Sequence, residues 1–178
     1  MPGREEEQWG KQNELYMNMM ITVCKNRAAQ HEQAGYYFKG KNTNWGLPLV
    51  LVPVIMSPIS VLIDGFDDVS KYINAVAFMT TGVLGGVVSF FKYGEKMSNH
   101  FNFSTRYSDI VTDIESELVK GRNYRMQLDV FSTRIKMMVD NLANTEPTLP
   151  KHIIEDPKFK LTEKFTYAPI SQGDNSQV

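Results

Sequence analysis

Trp45-Gly-Leu-Pro-Leu-Val-Leu-Val-Pro-Val-Ile-Met-Ser-Pro-Ile-Ser-Val-Leu-Ile63 is followed, after the acidic turn Asp64-Gly-Phe-Asp-Asp-Val-Ser-Lys71, by Tyr72-Ile-Asn-Ala-Val-Ala-Phe-Met-Thr-Thr-Gly-Val-Leu-Gly-Gly-Val-Val-Ser-Phe-Phe91. No charged residue lies between Asn42 and Ile63 or between Tyr72 and Phe91. Each stretch matches the ~20 residues a helix needs to cross ~30 Å of hydrocarbon. Leu, Ile and Val fill eleven positions of 45–63, and each favours insertion by roughly 0.3–0.6 kcal/mol at a helix centre. The pattern predicts two spans, about 45–63 and 72–91, joined by a turn at 64–71. Pro48, Pro53 and Pro58 predict a kinked first helix, starting near Pro48, whose freed carbonyls Ser57 or Ser60 can satisfy.

Lys39, Lys41, Lys92 and Lys96 border the outer ends of the two stretches, and Asp64, Asp67 and Asp68 dominate the turn. Cytoplasmic flanks carry the excess of lysine and arginine, so both termini are expected on one cytoplasmic-equivalent side. Trp45, Tyr36, Tyr37, Phe90, Phe91 and Tyr93 fall where interfacial aromatics belong. Gly82 and Gly86, with Ala75 on nearly the same face, form a small-residue stripe that lets another backbone approach. It packs either on the first helix of the same hairpin or on a second copy. A soluble alternative would bury both helices, but the remaining polar sequence is too short to cover them without a partner.

Outside 42–91 the pattern is amphipathic. A helical region at 1–41, one helix or two, shows an apolar face of Trp9, Tyr16, Met19, Met20 and Val23 over about Glu5–Gln33, with Gly35 and Gly40 breaking the pattern before the membrane. Residues 92–146 read as a helix pair. Met97, Phe101, Ser104, Tyr107, Val111, Ile114 and Leu118 stripe its first member, and Gly121-Arg-Asn ends that helix. Leu128, Phe131, Ile135, Met138 and Leu142 form a 3-4 seam on its second. These helices are expected to pack as a small juxtamembrane bundle. Pro147, Pro150, Pro157 and Pro169 predict an extended tail over 147–178. The fold class is thus an all-α membrane protein: a transmembrane hairpin, a juxtamembrane bundle and an extended tail.

Composition narrows the function. With 19 basic and 20 acidic residues the chain lacks the basic footprint of a nucleic-acid binder. The single cysteine, Cys24, allows no intrachain disulfide, and His31, His100 and His152 lack paired metal-ligand spacing. Met1-Pro-Gly-Arg-Glu-Glu-Glu7 has neither a signal-peptide apolar core nor a myristoylation glycine, and no prenylation cysteine ends the chain. The sequon Asn102-Phe-Ser104 would face the cytoplasm, Ser176-Gln-Val178 is a weak match to a carboxylate-capture motif, and the turn aspartates lack calcium-loop spacing. His100, Glu115, Glu117 and the Asp109/Asp113 pair are the ionisable groups nearest the membrane. They form no catalytic constellation, so no enzyme, cofactor or metal is expected.

The hairpin runs directly into the long helix Lys92–Leu118, then through Arg122-Asn-Tyr-Arg-Met126 and the helix Asp129–Leu142 to Glu146-Pro-Thr-Leu-Pro150. Over roughly residues 30–150 this arrangement resembles the SLATT family, the SMODS and SLOG-associating two-transmembrane domains, in the stand-alone form found in large DNA viruses. The resemblance implies one of two roles. Bacterial members are thought to be pore-forming effectors coupled to nucleotide signalling, whereas this chain carries no sensor domain or Gly-rich phosphate loop. Viral relatives belong to icosahedral particles with an internal membrane. The expectation is a membrane-anchored structural protein, a minor capsid protein linking that membrane to the shell, with the bilayer and other capsid proteins as partners. The alternative is an oligomeric pore.

Overall fold

The computed structural model describes residues 9–62 and 67–159, with side chains outside 60–68. The described residues are helical, without a strand: α1 (Lys11–Leu62), α2 (Asp67–Phe91), α3 (Tyr93–Val119), a 3-10 turn (Arg122–Tyr124), α4 (Leu128–Thr145) and the single turn α5 (Lys151–Ile154). They form two compact units. Of the described residues, 9–33 and 101–159 make one, and 34–62 with 67–100 make the other, which is wider at both ends than the 42–91 assigned to the hairpin.

The first unit is a three-helix bundle. Met17, Ile21, Cys24 and Ala28 of α1 are buried with Tyr107, Ile110, Val111 and Ile114 of α3 and Phe131, Ile135 and Leu142 of α4. The α1 set recurs at three or four residues, the α3 set adds Val111 beside Ile110, and partly buried Met138 fills the gap between Ile135 and Leu142, so each helix presents one stripe. Trp9 closes one end: its indole packs on Phe131 at 5.9 Å and Nε1 donates to the Met126 carbonyl at 2.9 Å. Lys25 pairs with Glu115 (2.7 Å) and His31 stacks on Tyr107, while Arg134 pairs with Asp113 (2.8 Å) and Glu146 bonds Tyr107, so α3 runs antiparallel to both neighbours.

Three expectations are corrected here. Gly35 and Gly40 do not break the first helix: α1 runs through them, and through all three prolines, for 52 residues. A helical glycine costs only about 1 kcal/mol relative to alanine, which the flanking turns outweigh. The expected N-terminal face is only partly the buried one: Trp9 is buried and Tyr16 and Met20 pack against the core, but Met19 is exposed and the centre of the α1 stripe is Met17, Ile21, Cys24 and Ala28. The tail is not extended throughout: Leu149, Ile153 and Phe159 are buried, and Pro150 caps α5. The rest of the expected tail, from Lys160 to Val178, lies outside the described residues.

The α4 seam fits its expected register. Phe131, Ile135 and Leu142 are buried, Leu128 and Met138 pack against the core, and α4 begins at Leu128. It ends at Glu146, with φ −63° and ψ 140°. Pro147 disfavours the helical conformation in the residue before it.

The second unit is an antiparallel helix pair. A Cβ at Gly85 would meet Leu49 Cδ1 at 3.7 Å, and one at Gly94 would meet Asn42 Oδ1 at 3.6 Å. The partner numbers on the two helices run in opposite directions. Half-buried positions recur on α1 at 42, 46, 49, 52, 56 and 59, and on α2 at 73, 77, 81, 84 and 88. Each helix therefore turns one 3-4 stripe towards its neighbour.

Candidate membrane interface

The helix pair is apolar on the outside. No described residue between Tyr36 and Asn99 is buried. Leu47, Val50, Leu51, Val54 and Ile55 stand exposed on α1, as do Val76, Phe78, Met79, Val83 and Phe90 on α2. Phe78 is 78% exposed and Phe90 81%. Soluble monomers rarely expose contiguous apolar surface beyond a few hundred Å². Among the described residues, the helical stretch Val69–Val119 contains one segment long and apolar enough to cross a membrane, and none of that segment is buried.

The polar groups on this surface are internally satisfied. Thr80 Oγ1 donates to the Val76 carbonyl and Thr81 Oγ1 to the Ala77 carbonyl, both at 2.8 Å. A hydroxyl bonded within its own helix can sit in hydrocarbon without an orphaned donor. Ser60, the other expected proline partner besides Ser57, has no described side chain. The turn residues Asp64–Phe66, with Ile63, lie outside the described residues.

Ala75, Gly82 and Gly86 are all exposed, and a Cβ at either glycine would meet nothing within 4 Å. Of the α2 glycines, Gly85 is the one that meets α1. The small-residue stripe is therefore not the surface through which the two helices of one chain pack.

Lysines and aromatics form a collar at one end of the pair. Lys39 Nζ lies 6.0 Å from the Tyr36 ring centroid, Lys41 Nζ 5.7 Å from Tyr37, and Lys96 Nζ 5.9 Å from Phe38. Phe38 also stacks on the buried His100 at 5.3 Å and on Tyr93 at 6.4 Å. Tyr93 stacks on Phe91 at 5.3 Å. Lys92 joins α2 to α3 with φ 48°, a conformation costing a non-glycine residue roughly 1–2 kcal/mol. Backbone bonds continue on both sides, Lys92 N–H to Val88 O and Lys96 N–H to Lys92 O.

The ionisable groups of the bundle do structural work. Glu146, held extended by Pro147, accepts from His31 Nε2 (3.1 Å) and Tyr107 OH (2.9 Å), with Arg27 Nη1 at 3.6 Å. An ionised carboxylate only accepts, so Nε2 of His31 carries the hydrogen in this contact. Burial would raise the Glu146 carboxyl. The His31 bond, the Arg27 charge and the Tyr107 hydroxyl outweigh it and hold the group below its ordinary value. Burial, followed by the bond to Glu146, pushes the Tyr107 phenol up. His31 is fully buried and stacks on Tyr107 at 5.8 Å. Sequence reasoning missed this hub. The one available signal was position: His31 continues the 17, 21, 24, 28 stripe.

A second cluster joins α1 to the α3–α4 connection. Glu14 accepts two bonds from Arg122 (3.0 and 3.1 Å) and one from Arg125 (2.7 Å), which hold its carboxyl down at about 2. Arg125 also lies 5.0 Å from the Trp9 ring and donates to the Leu118 and Lys120 carbonyls. Glu117 accepts from Lys120 Nζ and the Met126 N–H. Burial pushes the Cys24 thiol up to about 11. Of the ionisable groups singled out near the membrane, Glu115 and Asp113 pair with Lys25 and Arg134, Asp109 is exposed, and His100 belongs to the collar. Among the described residues, no three His, Cys, Asp or Glu side chains stand together as a metal site.

No family model, curated protein or solved structure matches this chain.

Proposed function

We propose that this protein is a two-span membrane anchor with a structural role, holding its helical bundle at one face of a bilayer. The carrying observation is the apolar, exposed surface of the helix pair. Val54 and Ile55 on α1 are as exposed as Val76 and Val83 on α2. In water, that surface would be an aggregation liability; in lipid it is matched to its solvent. The second span is supported by the uncharged run Asn42–Ile63 and by its antiparallel packing on α2. The lysine-rich collar supports both termini on one cytoplasmic-equivalent side.

Glu14, Asp113, Glu115, Glu117 and Glu146 are engaged in the bundle's own ion pairs and hydrogen bonds, which supports attachment rather than catalysis. The resemblance to stand-alone viral SLATT-like proteins extends this to a minor capsid protein linking an internal virion membrane to the shell, with the bundle and the segment from Pro147 contacting other structural proteins. Protein retained in the membrane pellet after carbonate and high-salt washing is the expected result; release into the supernatant overturns the reading. Tags at Met1 and Val178 should show the same protease sensitivity in sealed vesicles.

One observation favours a second reading, an oligomeric pore: Ala75, Gly82 and Gly86 form an unoccupied small-residue stripe on α2. Such stripes let transmembrane helices of separate chains approach closely. The uncharged spans would then form a hydrophobic channel gated by dewetting. Ion flux through reconstituted liposomes, abolished by Gly82→Leu, would select this reading over the anchor.

A further inference from the structure

We propose that the lysine–aromatic collar of the helix pair is a binding surface for anionic phospholipid headgroups. The inference rests on the membrane reading above and adds the lipid class to it. Charge is the first argument. The collar carries Lys39, Lys41, Lys92 and Lys96 against the single acid Glu95, which pairs with Lys92 at 3.4 Å. In sequence, the segment between α1 and the apolar run of α2, Asp64-Gly-Phe-Asp-Asp-Val-Ser-Lys71, has the opposite charge balance. A symmetric, zwitterionic bilayer would give no reason for that polarity along one unit.

The second argument is the way the lysines are held. Lys39, Lys41 and Lys96 each lie about 6 Å from an aromatic ring. Each ammonium lies over a ring face, and this cation–π contact holds the lysine among the aromatics at the apolar margin. Tyr36, Tyr37 and Trp45 are exposed among them, with Phe90 and Phe91 completing the apolar margin. Rings of this kind sit at headgroup depth, where a phosphodiester presents its oxygens. A zwitterionic headgroup also brings its own cation, which four lysines would repel. A net-negative headgroup brings none. Basic residues beside a membrane gain from an anionic leaflet by an amount equivalent to about fivefold in association per lysine.

The test is the association of spin-labelled phosphatidylglycerol, against spin-labelled phosphatidylcholine, with the full chain in phosphatidylcholine vesicles. The expected result is a several-fold preference for the anionic probe, declining as ionic strength rises. The combined Lys39→Gln, Lys41→Gln, Lys92→Gln and Lys96→Gln variant should abolish it, and Lys71→Gln in the turn should leave it intact. Equal association of both probes with carbonate-resistant protein overturns the proposal while leaving the membrane anchor standing. Extraction of the protein by carbonate overturns both. A preference that survives in the quadruple variant, or one removed by inorganic phosphate at constant ionic strength, overturns the collar as the lipid site. Should the quadruple variant fail to insert, the salt dependence of the unaltered protein decides: a preference that does not change with ionic strength overturns the proposal.

Discussion

The two units of this protein use the same secondary structure and opposite patterns of exposure. In the bundle, Phe131, Ile114 and Ile135 are buried, and acids and bases meet in directed contacts around Glu14 and Glu146. In the helix pair large apolar side chains such as Phe78 and Phe90 are exposed, and Gly85 of α2 faces the Leu49 side chain of α1. Hydrophobic burial drives the first arrangement. On the proposed membrane reading it cannot drive the second, because helices in lipid associate through close packing instead. One continuous helix, α1, contributes to both units and changes its pattern along its length, from the Met17–Ala28 stripe to the exposed Leu47–Ile55 segment.

The strongest test of that contrast is a matched pair of truncations. Phe131→Ala removes a buried ring that packs on Trp9 and should cost about 3–5 kcal/mol. Phe78→Ala removes an exposed ring and should change stability by no more than about 0.5 kcal/mol. Urea midpoints measured in detergent, with bundle and whole-chain probes, give the comparison. Similar losses from the two substitutions would break it.

Next in size is Glu146→Ala. It removes the acceptor shared by His31 and Tyr107, and each donor left buried without a partner costs about 1–3 kcal/mol. Tyr107→Phe removes donor and hydroxyl together and should cost less. The order of the two midpoints is the check. A harmless Glu146→Ala would mean that water replaces the carboxylate and that the hub contributes little to the bundle.

Sequence periodicity made the apolar stretches, the α4 register and the all-helical class legible, because each depends on local spacing. It misjudged α1 because glycine was read as a stop, although its cost in one turn is small against a helix continuing on both sides. It placed Met19 and Val23 in the core because two adjacent stripes were available on that helix. Only the packing of α3 and α4 selects Met17, Ile21, Cys24 and Ala28. The Glu146 hub was illegible for a different reason: its members are 115 and 39 residues apart, and no local rule connects them. Pro147 signalled the end of α4, but not where the Glu146 carboxylate would point.

Within the helix pair, the glycines sharpen the comparison. Gly85→Leu drives a side chain against Leu49 and should disturb the pair by about 1–3 kcal/mol. Gly82→Leu enters open space in the single chain. Any loss it causes must come from a second copy, so cross-linking yield is measured alongside stability. If Gly82→Leu disturbs a protein that is monomeric in detergent, the packing of α1 on α2 differs from that described.

The smallest expected effect is the acid response of the Glu14 clamp. Bonds from Arg122 and Arg125 lower its carboxyl from 4.5 to about 2. A carboxyl with a lowered folded value binds its proton more readily in the unfolded chain. Its contribution is therefore fully present above about 4.5 and disappears as pH falls towards 2. The side chain retains 25% exposure, so water and salt screen the pair and the effect stays modest. Glu14→Gln should flatten the bundle's stability profile between those two values and lower its plateau at neutral pH. Raising the ionic strength should reduce the difference between the two proteins. If the profiles remain parallel through the acid range, the arginines do not hold the carboxylate in solution, and Trp9 with its bond to Met126 is what fastens α1 to the α3–α4 connection.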